Sequence, residues 1–305
     1  MRNVARARSS AHHGAPMNRW MIGARPRTLP AAVVPVAVGA ACAVGTSVDG
    51  IVWWRVAAAL VVSIALQIGV NYANDYSDGV RGTDDVRVGP ARLVASGLAE
   101  PASVKRAALI AFAVAALAGL AIAVATSWWL LVVGAAAIAA GWFYTGGPKP
   151  YGYLGLGELF VFVFFGLVAT AGTTYAAVEQ VTAVSLWMGA AVGALACALL
   201  VINNLRDIPT DREVGKRTLA VRLGDRPTRW LYVALLVVAL AVLPIVAIDR
   251  PWVLLGLVAL PVAIGPARTV LGGAGAAQLI AVLGATGRVQ LVYGAAATIG
   301  LALSG

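Results

Sequence analysis

The residues best suited to chemistry stand in two acidic stretches, Asn71-Tyr-Ala-Asn-Asp-Tyr-Ser-Asp78 and Asn203-Asn-Leu-Arg-Asp-Ile-Pro-Thr-Asp211. Each begins as the tail of an apolar run. In the first, Asn71 pairs with Asp75 and Asn74 with Asp78 at a spacing of four; in the second, Asn203, Asp207 and Asp211 recur at i, i+4 and i+8. That spacing stacks side chains on one helix face. Carboxylate and amide oxygens with no His or Cys beside them suit hard cations, Mg2+ before others. Two such faces, far apart in the chain, would close around one polyanion held by metal ions. One stretch alone reads equally well as a solvated helix end. Two with matched spacing favour function, because acid at membrane depth is costly and marks working sites.

Basic residues follow both stretches. After the first come Arg81, Arg87 and Arg92, with Asp84 and Asp85 adding carboxylates between them; after the second come Arg212, Lys216, Arg217 and Arg222. Acid for metal with Arg and Lys for phosphoryl oxygens is the make-up of a diphosphate site. Each cation alone also fits a lipid-headgroup or topology role; Lys216 and Arg217, just past Asp211, are the best placed. A third stretch, Trp142 to Glu158, is dense in Gly, Pro and aromatics. Tyr144 and Tyr151 there fit either a cover over a cationic intermediate or a membrane-interface belt. Lys149 is the one cation of that stretch, and Glu158 opens an apolar run where a helix-start role is the plain alternative. Arg25-Pro-Arg-Thr-Leu-Pro30 fits a headgroup anchor or a substrate entry. No glycine-rich phosphate loop, dinucleotide fingerprint, zinc pattern or Ser-His-Asp set stands out, so phosphate binding would rest on metal and Arg.

The elements that must position these residues are membrane helices. The chain has 305 residues, 60% of them apolar and 12% charged, which a soluble fold cannot bury. Nine apolar segments lie near 28–47, 53–76, 103–126, 128–145, 155–177, 184–205, 229–248, 252–271 and 286–303. The expected fold is all-α: about nine transmembrane helices around a central cavity opening to the cytoplasmic side. With nine spans, all 23 Lys and Arg residues except Arg55 and Arg250 fall on one side. The positive-inside rule then places the N-terminus in the cytoplasm, the C-terminus outside, and both acidic stretches at the cytoplasmic ends of spans two and six. It also accounts for the net charge of +10 without a nucleic-acid partner. Residues 1–19 read as a disordered cytoplasmic tail, with Met17 an alternative start, and 20–305 as one transmembrane domain. Cys42 and Cys197 sit in apolar runs and read as core filler.

These stretches resemble the UbiA superfamily of intramembrane prenyltransferases, which carries Asn-Asp-x-x-Asp at the end of its second span and Asp-x-x-x-Asp at the end of its sixth. Here they are Asn74-Asp75-Tyr-Ser-Asp78 and Asp207-Ile-Pro-Thr-Asp211. Where the common family form has a further Asp, this chain has Gly82, and the next carboxylates are Asp84 and Asp85. The wording Ala-Arg-Pro-Arg-Thr-Leu-Pro, Tyr-Thr-Gly-Gly-Pro-Lys-Pro-Tyr-Gly-Tyr and Asn-Asn-Leu-Arg-Asp-Ile-Pro-Thr-Asp is similar to the menaquinone branch. The resemblance implies a cell-membrane enzyme that moves a polyprenyl group from polyprenyl diphosphate to 1,4-dihydroxy-2-naphthoate, with CO2 and diphosphate lost. It implies Mg2+ on Asn74, Asp75, Asp78, Asp207 and Asp211, with Asp84 a candidate for the missing ligand. Asp75, Asp78, Asp207, Asp211 and Lys216 would serve catalysis; Asn71, Asn74, Arg81, Arg92, Tyr144, Lys149, Tyr151, Asn203 and Arg217 would bind substrate. Another acceptor on the same scaffold, such as 4-hydroxybenzoate, is the near rival. A cation-coupled transporter is the distant one.

Overall fold

The computed structural model describes residues 18–83 and 91–305, and every regular element among them is helical. Expectations that rest on residues 1–17, on Asp84 and Asp85, and on Arg87 lie outside the described residues. A short helix α1 (Arg19–Ala24), capped by the Asn18 side chain, leads into α2 (Pro30–Cys42). Then follow α3 (Trp53–Val80), α4 (Pro101–Ala125), α5 (Trp129–Phe143), α6 (Gly157–Val178), α7 (Ala183–Glu213), the short α8 (Leu219–Leu223), α9 (Asp225–Val246), α10 (Pro251–Leu271) and α11 (Ala276–Leu303). Seven of these are long and apolar enough to cross a membrane; α2 and α5 are shorter apolar helices. Each of the nine apolar segments therefore became a helix.

Local chemistry sets the ends. Proline opens α2, α4 and α10, where its missing N–H costs nothing. Thr182 and Ser185 exchange hydrogen bonds of 3.0 and 3.1 Å to start α7. The last helix starts at Ala276, ten residues before the expected 286, because Gln278 Oε1 accepts the Gly275 amide at 3.0 Å and caps it there. Helix α7 likewise continues through Pro209 to Glu213, so Asp207 and Asp211 lie on regular helix and not in a loop.

The helices form a ring. α3 packs along α4, α6 along α7, α7 along α9, and α11 closes back on α2. α7 is the hub, with most of its apolar length buried. It meets α6 through glycine: a Cβ on Gly166 would lie 2.5 Å from Gly193 Cα and 2.6 Å from the Gly189 carbonyl oxygen. Large apolar side chains such as Leu117, Val124 and Val132 face outward, as a bilayer-embedded surface requires. The acidic stretches end α3 and α7 at one end of the ring. At the other end Arg55 pairs with Glu179 at 2.7 Å, and Arg250 donates to the Val44 carbonyl at 2.9 Å.

Candidate active site

Both acidic stretches open on one cavity of about 830 Å3 inside the ring. Its walls come from α2 to α7 and the N-terminal part of α11; among the described residues, α9 and α10 add none and buttress α7 from behind. From Asp78 the lining runs along α3 past Val70 and Val62 to Ala59, about 28 Å at the rise of an α-helix. The polar groups collect at the α3 and α7 ends. The remainder is apolar, faced by residues such as Ile122, Val133, Phe164 and Val168. A seven-residue π-helical segment, Phe162–Val168, widens the α6 wall there.

At the polar end Lys216 ties the two stretches together. Its Nζ stands 3.6 Å from Asp78 Oδ1 and 3.9 Å from Asp211 Oδ1, and lies 4.7 Å above the Tyr153 ring. The Tyr153 hydroxyl donates to Asp78 Oδ1 at 2.5 Å. Burial, then the Asp78 charge and hydrogen bond, push the Tyr153 phenol above its ordinary range, so it remains a donor. Arg206 grips Asp207 with two bonds of 2.7 Å, a buried bidentate pair. Asn74 Oδ1 accepts from the Thr145 hydroxyl at 2.8 Å. Asp78, Asp207 and Lys216 are all buried, and charges in such a place persist only when paired.

The expected residues divide into three groups. Asn71, Asn74, Asp78, Arg92, Tyr144, Tyr151, Asn203, Asp207, Asp211 and Lys216 all line the cavity. Within that set Asn71 is also a brace, donating to the Ala24 carbonyl at 2.9 Å and the Thr28 hydroxyl at 3.1 Å. Tyr144 and Tyr151 contact edge to face at 5.5 Å, and burial raises the Tyr151 phenol. They are cavity residues, not an interface belt. Arg81, Lys149 and Arg217 are absent from the cavity wall. Arg81 donates to the carbonyls of Thr145 and Gly147 and acts as a strut; Lys149 and Arg217 are exposed. Asp75 departs most from expectation. It is fully buried, and its two oxygens accept the Leu93 and Val94 amides at 2.9 and 3.0 Å, which turns them from the cavity. Glu158 accepts from Asn204 at 2.9 Å behind the wall.

The donor set matches Mg2+ with a phosphate co-ligand. Among the described residues, no three His, Cys, Asp or Glu side chains stand close enough to hold a metal by themselves. Mg2+ is commonly held by one or two carboxylates plus substrate phosphates, not by an all-protein cage. Asp78 and Asp211 already share a cationic group, Lys216, which shows that this gap accepts positive charge.

Residues 32–276 match the UbiA prenyltransferase family. The chain belongs to that family. It is 54% identical over 284 residues to a 1,4-dihydroxy-2-naphthoate octaprenyltransferase of Mycobacterium tuberculosis, covering 93% of this chain and 97% of the relative. The enzyme of the same name from Mycobacterium leprae is 50% identical over 287 residues, 94% and 97% of the two chains. Among solved structures, a UbiA homolog from Archaeoglobus fulgidus bound to GPP and Mg2+ superposes with a TM-score of 0.60 at 14% identity, over 92% of this chain and all of that one. This UbiA fold places the Asn74/Asp78 and Asp207/Asp211 pairs on facing helix ends.

Proposed function

We propose that the protein transfers a polyprenyl group from an allylic polyprenyl diphosphate to 1,4-dihydroxy-2-naphthoate, releasing diphosphate and CO2. The observation that carries this reading is a charged end, built from both acidic stretches, at the head of a long apolar slot. The diphosphate lies at the charged end and the isoprenoid tail along the slot. Asn74, Asp78, Asp207 and Asp211 would hold Mg2+, which supplies positive charge to the leaving diphosphate. Lys216 and Arg92 face the same oxygens and add to that stabilisation. The allylic C–O bond breaks, and a C–C bond forms at the ring carbon bearing the carboxylate. That carboxylate leaves as CO2, its C–C bonding pair restoring the ring, and the two hydroxyls are retained in a naphthoquinol. The walls at Tyr144, Tyr151, Phe160 and Phe164 keep water from the allylic cation and offer it aromatic faces.

α5 and α6 do not pack along one another among the described residues, and the tail passes to lipid between them. Span order and charge distribution support a cell-membrane enzyme with the site and N-terminus cytoplasmic and the C-terminus outside, residues 20–305 forming one domain. The test is prenyl transfer by detergent-purified protein, with 1,4-dihydroxy-2-naphthoate or 4-hydroxybenzoate as acceptor, with and without EDTA. Prenylated naphthoquinol and CO2, formed only with the naphthoate and only without EDTA, are expected. Product with hydroxybenzoate alone would move the acceptor assignment. No transfer to either by folded protein would overturn the reading.

A further inference from the structure

The segment after Arg92 is fastened to α3 at three points. The Asp75 carboxylate accepts the Leu93 and Val94 amides at 2.9 and 3.0 Å. The Leu93 side chain is wholly buried against Gly23 and Tyr72, where a Cβ on Gly23 would come within 2.6 Å of Leu93 Cδ1. Val94 covers Gly79 so closely that a Cβ there would lie 2.5 Å from it. The backbone then turns on itself: Ser96 donates to the Arg92 carbonyl at 2.9 Å, Gly97 to Val94 at 2.9 Å, and Ala99 to Leu93 at 3.0 Å. Arg92, the residue immediately before this fastened turn, lines the cavity at its charged end.

We infer that Asp75 is a positioning residue for the donor diphosphate, acting through Arg92. Its carboxylate grips the two amides that follow Arg92 and so fixes where that guanidinium stands. The inference rests on the transfer reaction proposed above. It separates the two neighbours in Asn74-Asp75: Asn74 faces the cavity, and Asp75, one residue on, faces about 100° away around the helix and holds a loop. A buried carboxylate that accepts two backbone amides has its oxygens spoken for, and turning them to a metal would leave both amides unpaired in an apolar setting. Asp75→Asn keeps the volume but replaces one acceptor oxygen with a donor, which opposes one of the two amides.

The first measurement is hydrogen exchange on metal-free, substrate-free protein. The Leu93 and Val94 amides are expected to be protected in the parent chain and to exchange at least about tenfold faster in Asp75→Asn. The second is steady-state transfer. Asp75→Asn raises the KM for polyprenyl diphosphate about tenfold, with a smaller effect on kcat and an unchanged Mg2+ midpoint, whereas Asp78→Asn shifts that midpoint. The third is a cycle with Arg92→Ala: if Asp75 works through Arg92, the double variant loses no more than the worse single one. Unchanged exchange, a Mg2+ midpoint moved as in Asp78→Asn, or additive losses would each overturn the inference. Silence of the unmutated protein in the transfer assay would instead overturn the reaction assignment, and the exchange result would still decide the grip.

Discussion

Asp78 is held from two sides, by a cation that also reaches Asp211 and by a phenol 2.5 Å away. The phenol donates one bond to a charged acceptor, and such bonds contribute more than neutral ones, about 1.5–3 kcal/mol. Tyr153→Phe is therefore expected to lower kcat/KM by about 10- to 100-fold and the Tm by a few degrees, read by steady-state kinetics and thermal unfolding side by side. Parental kinetics in this variant would show that the bond is not needed in the reacting complex. Asn74, Asp78, Asp207 and Asp211 were legible in the sequence because helical spacing alone puts them on one face. Tyr153, Thr145 and Arg206 were not. Tyr153 and Thr145 reach Asp78 and Asn74 from more than 70 residues away, and Arg206 stands inside the second stretch looking like one more topology residue. Tyr153 lies two residues from Tyr151, and no periodicity in a Gly- and Pro-rich turn tells which ring reaches Asp78. Arg81, Lys149 and Arg217 do not line the cavity, for the same reason: counting cations near a motif does not say which of them face it.

At the scale of elements, the relative placing of α6 and α7 decides whether the aromatic wall faces the acidic helix. Gly189 and Gly193 on α7 stand one turn apart, the spacing by which small residues let membrane helices approach closely. Gly166 fills the facing position on α6, and any Cβ there meets backbone, which cannot swing aside. Gly166→Ala is expected to destabilise by about 1–3 kcal/mol, as overpacking does, and to lower the Tm in detergent. Gly265→Ala, whose Cβ would enter open space, is the control and is expected to hold or slightly raise the Tm. Equal Tm changes in the two would sink the close-packing account. The helices themselves were readable from apolar run lengths. This contact was not, because 34 glycines give many pairs at a spacing of four and only the fold says which pair meets a partner. The start of α11 was misplaced for a similar local reason: Arg288 looked like the edge of a span, yet it lies well within a helix that begins at Ala276.

The whole molecule is polarised along the ring axis. Trp53, Trp54, Trp128, Trp129, Trp187 and Trp252 are all exposed in or beside the first two turns of helices that start at the end away from the acids, the pattern an aromatic interface belt would have. The charged end of the cavity lies at the opposite end of the ring, and the slot between the two ends is close in length to one hydrocarbon thickness. A long donor must therefore use the whole slot and a short one only its head. Gly134 tests this. It lines the slot from α5, and a Cβ there meets nothing within 4 Å, so a large side chain enters free space and leaves the packing intact. Gly134→Trp is expected to lower kcat/KM for a long polyprenyl diphosphate by at least about tenfold while leaving a dimethylallyl donor within about threefold, since steric rejection acts only on the part of the ligand that reaches the block. Competition between the two donors on the same purified variant gives the ratio directly. No loss for either donor would mean that the tail does not follow α3 and leaves the ring nearer its charged end, and equal losses for both would mean that the block disturbs the head of the slot; either result would overturn the slot reading.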